Sequence, residues 1–261
     1  MLLLILLTCN FILLSIVFYV NSMKTVVETK TIYISESEGV KKRIGDIDGI
    51  FEIHITVDHL DGFIPLINFV NNYEEGNIKV LFATSSENNN QYMISHFTIK
   101  TSAKDAVIKA NRIAEHMKNK NIKVKRVKVE AMVSSSTKGI PFNSEEYNVL
   151  YSIFTTEGFL GKPYFEFHVK IKDNRSIESI KNICNIETDN VQSAVSWNLM
   201  SKNMIPLLTL RMYNMGLIEA QKNKDTILNS LKSFGYTFED QIQEEFSIYD
   251  SNVGEDNGWI I

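Results

Sequence analysis

Two short stretches place an acid and an imidazole on one side of an alternating pattern. FEIHITV runs from Phe51 to Val57, and FEFHVKI from Phe165 to Ile171. Apolar residues recur at every second position in each, which predicts a β-strand. In the first, Phe51, Ile53, Ile55 and Val57 share one face, and Glu52, His54 and Thr56 the other. In the second, Glu166, His168 and Lys170 stand opposite Phe165, Phe167, Val169 and Ile171. An imidazole titrates near neutrality and a neighbouring carboxylate tunes it. The pairs His54/Glu52 and His168/Glu166 therefore have the makings of proton transfer or, with further carboxylates, of metal ligation. The ordinary alternative is a solvated sheet face that carries ion pairs.

The same order of elements surrounds both strands. In residues 51–133, FEIHITV precedes a helix with Phe63, Leu66, Ile67 and Val70 in its stripe. KVLFATS and QYMISHFTIKT follow as strands. Ser102 and Asp105 then open a helix striped by Ala106, Ala110, Ile113 and Met117, and VKRVKVEAM closes the unit. Residues 134–163 read as a connector, in which EYNVLYSIFTTEGF is either a short helix or an irregular pack. In residues 164–261, FEFHVKIK, the helix SIESIKNICNI, VQSAVSWNL and MIPLLTLRMY come in turn. A helix through Leu217, Ala220, Ile227, Leu228 and Leu231, stopped by Gly235, and the strand EEFSIYDSN complete the series. Thus β-α-β-β-α-β occurs twice. The predicted fold class is α+β: a tandem duplication of a ferredoxin-like unit, with antiparallel sheets covered by helices on one face. If the two polar faces meet, His54, His168, Glu52, Glu166, Lys100 and Arg211 line one cleft.

Residues 1–22 are apolar up to Val20 and long enough to cross a bilayer as a helix. The segment reads as a single-pass membrane anchor. A signal peptide cleaved near Ser22, giving a secreted protein, and translation from Met23 are the alternatives. Residues 23–50 form a polar linker in which KTIYISES is a candidate edge strand. The net charge of −4 gives no basic bias toward nucleic acid. Two cysteines, Cys9 and Cys184, exclude a disulfide framework and a cysteine-based zinc site within the chain.

Two families are similar to this layout. His54-Ile55-Thr56-Val57, with the imperfect echo His168-Val169-Lys170-Ile171, resembles the two-histidine phosphoesterase family. The resemblance implies a hydrolase with His54 and His168 as base and acid, needing no cofactor. It further implies that Thr56 and Lys170 hold a phosphate-containing small molecule, among Lys100, Arg211, Glu52 and Glu166. The doubled β-α-β layout is also similar to the vicinal oxygen chelate family. That likeness implies one divalent transition metal on His54, Glu130, His168 and Glu245. A third expectation is a non-catalytic ligand-binding or scaffold module.

Overall fold

Alternation of apolar and polar residues decides the architecture, because eight strands with that pattern roll their polar faces inward. A computed structural model describes residues 47–58, 63–86, 88–134, 136–172, 180, 190–257 and 259. The strands are β1 (Phe51–Val57), β2 (Ile78–Ser85), β3 (Asn90–Phe97), β4 (Val124–Met132), β5 (Tyr164–Lys170), β6 (Val191–Asn198), β7 (Leu207–Tyr213) and β8 (Gln243–Asp250). All neighbouring strands are antiparallel, and they close into a barrel in the order β8-β4-β1-β3-β2-β6-β7-β5.

The apolar faces of the strands point outward, and helices cover β1, β2, β4 and β5. Phe51, Ile53, Ile55, Val129, Phe165, Phe167 and Phe246 are all fully buried there, and the rings of Phe165 and Phe246 meet at 4.6 Å. Four helices flank the barrel among the described residues: α1 (Phe63–Asn71), α2 (Ala103–Asn119), α3 (Ser144–Glu157) and α4 (Leu217–Ser233). The α2 helix lies on β1 and β4, and α4 on β5. Ser102 caps α2 by accepting from the Asp105 backbone N–H at 3.1 Å, as its sequence predicts. In α1 the buried residues are Leu66 and Phe69, one turn apart, so Ile67 and Val70 of the expected stripe are only half-buried. The connector residues 144–157 are a regular helix, capped by Asn143 and ended by Gly158 at φ 78°.

The fold differs from the one expected. Each half supplies four neighbouring strands, but they do not make two ferredoxin-like sheets. The β8 strand pairs with β4 on one side and β5 on the other, and β2 meets β6, so neither half owns a separate sheet. Closure pairs strand edges that two open sheets would leave bare. There is accordingly no cleft between two outer faces, and the polar faces form one lumen. The N-terminal anchor is also set aside. No helix among the described residues is long and apolar enough to cross a membrane, while residues 1–22 and the linker up to Asp46 lie outside them. The expected membrane localisation therefore has no spanning helix behind it among the described residues. The helix expected around Ile177 and Cys184 likewise lies outside the described residues, Ile180 apart.

Candidate functional site in the barrel lumen

The period-two pattern of β1, β4, β5 and β8 delivers charge to the interior. Glu52, His54 and Thr56 from β1, Arg126, Lys128 and Glu130 from β4, and Glu166 and His168 from β5 line one cavity of about 400 Å³. Antiparallel register sets Glu52 beside Glu130, His54 beside Lys128, and Thr56 beside Arg126. On the other side of β8, Glu245 lies opposite Glu166. A bulge between Ser247 and Tyr249 shifts the parity of β8. Asp250 thereby reaches Arg126, bonding both its Nε, at 2.9 Å, and its Nη2.

Two imidazole–carboxylate clusters result. His168 Nε2 lies 3.1 Å from Glu166 Oε1 and 3.1 Å from Glu245 Oε2, and its Nδ1 is 3.0 Å from the Thr209 hydroxyl. Glu166, His168 and Glu245 each offer one ligand atom within 4.8 Å of the others. His54 Nε2 lies 3.3 Å from Glu52 Oε1 and 3.6 Å from Glu130 Oε2, a looser version of the same arrangement. The His54 Nδ1 atom is buried and has no hydrogen-bond partner among the described residues. The clusters are tied together. The Gln243 amide donates to Glu52 and Glu245 at 2.8 Å each, and Lys128 Nζ sits 2.6 Å from Glu130 and 3.0 Å from Glu166. Neither oxygen of Glu130, which is fully buried, makes a well-aligned hydrogen bond among the described residues.

A second network closes the lumen. The turn Val253–Asp256 crosses it, and Asp256 accepts from Arg126 at 2.7 Å and from Arg211 at 2.5 Å. Arg211 also donates to Glu166 at 2.5 Å, and the Gln91 amide donates to the Glu255 carbonyl at 3.1 Å.

Burial and charge set the protonation. Burial pushes the Glu166 carboxyl up, but Arg211 and Lys128 more than offset it and hold it well below the usual range. Glu52 is lowered too: burial raises it, and His54 and the Ser95 hydroxyl outweigh that. Burial and the nearby Glu130 push Glu245 up to about 8. Burial would lower His168, but the Glu166 and Glu245 carboxyls at 3.1 Å favour its charged form and raise it to about 10. At neutral pH His168 is therefore an imidazolium against ionised Glu166, and Glu245 keeps a proton.

The structure brings His54, His168, Glu52, Glu166, Thr56 and Arg211 to one cavity, with Lys170 at its lining. Glu130 and Glu245 join them from β4 and β8. Lys100 does not belong: β3 ends at Phe97, and Lys100 is exposed in the bend that follows. Lys170 has a half-exposed side chain that pairs with Glu239 at 3.1 Å. Residues not singled out by sequence also take part. Lys128 was readable from strand parity, whereas nothing in the polar tail marks Asp256 as a partner of two arginines.

No protein-family model matches the chain, and no curated protein matches it. Among solved structures it is similar to the siroheme decarboxylase NirDL, alone and in co-complex with an iron-uroporphyrin III analogue. The identities are 16% and 15%, and each match covers 85% of this chain and 80% of that chain with a TM-score of 0.27. A superposition of that quality supports no inference about this chain.

Proposed function

We propose that the chain is a metal-dependent enzyme acting on a small organic molecule inside the barrel. The observation that carries this reading is the convergence of Glu166, His168 and Glu245 within 4.8 Å at the wall of a cavity. One imidazole and two carboxylates form a donor set suited to zinc, iron, nickel or manganese. The charge inventory agrees. Six buried carboxylates (Glu52, Glu130, Glu166, Glu245, Asp250 and Asp256) face the fixed cations Arg126, Lys128 and Arg211. Three negative charges remain while both imidazoles are neutral, and so much buried charge calls for protons or a cation. His54 lines the same cavity with an unpartnered Nδ1, and is the group placed to move a proton to or from a bound molecule.

The two-histidine phosphoesterase reading uses the same cavity, and it is favoured by the presence of both His54 and His168 on the lining. Against it, each imidazole is flanked by two glutamates, so a phosphate group would meet negative charge. Elemental analysis after dialysis against Zn²⁺, Mn²⁺, Fe²⁺ and Ni²⁺ separates the two. The metal reading expects about one equivalent of one ion per chain, lost in a folded His168→Gln variant. Absence of uptake, or uptake unchanged in that variant, refutes it. Hydrolysis of an aryl phosphodiester by metal-free protein would favour the phosphoesterase reading instead.

A further inference from the structure

One wall of the lumen is crowded with ionisable groups, and the apolar lining is concentrated on the other. The contiguous strands β5-β8-β4-β1 carry Glu166, His168, Glu245, Lys128, Glu130, Glu52 and His54. The contiguous strands β3-β2-β6-β7 bring the cavity its apolar lining, Met93, Leu81, Ala83, Ala194 and Leu207, beside the polar Gln91, Ser196, Thr209 and Arg211. The chain has two tryptophans, and both line it: Trp197 from the end of β6, and Trp259 from the segment that crosses the lumen. Both indoles border open space.

We infer that the organic ligand of this lumen is an aromatic amine, bound as its cation. Its ring lies along the apolar wall against the indoles, and its ammonium faces the glutamates. This rests on the reading that the lumen takes a small organic molecule, and it does not depend on the metal. Aromatic rings pack on indole faces with an energy beyond the area they bury, and ammonium groups are attracted to both indole and carboxylate. The sign of charge follows from the same inventory. With His168 charged and Glu245 protonated, the six carboxylates and three fixed cations leave the lumen one negative charge, and a divalent ion that displaces both protons leaves the same one, so a carboxylate or phosphate ligand is disfavoured in either state. The cavity, about 400 Å³, lies within the size range of small-molecule sites.

The test is a ligand panel on the unaltered chain, treated with chelator and followed at pH 7 by tryptophan fluorescence and calorimetry. The probes are 2-phenylethylamine, 2-cyclohexylethylamine, which keeps the charge and lacks the π-face, and 3-phenylpropionate, which keeps the ring and reverses the charge. The first is expected to bind at least about tenfold more tightly than either of the others. Trp259→Leu should erase its advantage over the cyclohexyl amine. Glu52→Gln should narrow its advantage over the carboxylate. Equal or tighter binding of 3-phenylpropionate, equal binding of the cyclohexyl amine, or no binding of any probe overturns the inference. Metal uptake is measured separately. A chain that binds phenylethylamine but no metal loses only the metal centre, and one that takes metal but ignores the amine loses only this ligand class.

Discussion

Asp256 offers the sharpest test of how the lumen is held together. Its carboxylate, 8% exposed, accepts from Arg126 at 2.7 Å and Arg211 at 2.5 Å. A hydrogen bond to a charged group contributes about 1.5–3 kcal/mol. In Asp256→Asn the amide oxygen keeps one of the two bonds in weaker form, while Arg126 retains Asp250 and Arg211 retains Glu166. The expected loss is about 3 kcal/mol, less than the upper end for stripping a buried charge of its only partner. For a domain of this size that lowers Tm by roughly 6–12 °C at pH 7, read by circular dichroism. Acid should erase the difference. Burial raises the Asp256 carboxyl, but Arg211 and Arg126 outweigh this and hold it below its ordinary value. The stability it contributes is complete above the unfolded carboxyl's pKa, about 3.9, and is lost as pH falls through the lowered folded value. The gap between the two proteins should therefore close toward pH 2. A Tm unchanged at pH 7 together with an altered Trp259 emission would refute the reasoning, because the crossing segment would then open on its own without contributing to the cooperative fold.

Four further outcomes follow from the same geometry. Metal binding should release two protons at pH 7, one from His168 and one from Glu245, raised to about 10 and about 8. The logarithm of affinity should rise with a slope of about two below pH 8 and about one from there to pH 10, as checked by calorimetry in buffers of different ionisation enthalpy. Phe165→Ala removes a fully buried ring packed on Phe246 and should cost about 3–5 kcal/mol in urea unfolding. Gly216→Ala places a Cβ 2.3 Å from the Asn143 backbone, where the start of α4 passes the cap of α3. It should destabilise by about 3 kcal/mol or more. Gly158→Ala meets nothing within 4 Å and has only its φ of 78° against it, so its loss should be about 1–2 kcal/mol.

Local rules made much of this readable in advance. Period two in Phe51–Val57 and Tyr164–Lys170 fixed which side chains share a face, and that face carries the candidate site. Ser102 announced the start of α2, and Gly235 adopts φ 89° just beyond α4. The failures were failures of distance. The contact of β2 with β6 rests on three residue pairs, Ala83 with Asn198, Thr84 with Trp197 and Ser85 with Ser196, and no short pattern encodes a partner so far along the chain. Without that contact and the double pairing of β8, two open sheets were the natural expectation, and the polar faces seemed to border solvent. Lys100 was misplaced because alternation runs on through Phe97–Lys100 after the ladder has ended. The Asp250 contact depends on a bulge, which a strict count of two cannot foresee.

The double pairing of β8 has a kinetic consequence. Glu245 lies opposite Met132 on one side and Glu166 on the other, so this strand joins segments far apart in the chain and docks at a high cost in loop entropy. Until it arrives, β4 and β5 each present a bare edge. The guanidinium of Arg126 also lacks Asp250, and the Gln243 bridge between Glu52 and Glu245 does not exist. In the native barrel both edges of β8 are paired, whereas its immediate precursor leaves the facing edges of β4 and β5 bare. Aggregation of this chain should therefore track the lifetime of that precursor during refolding, and not the stability of the finished barrel.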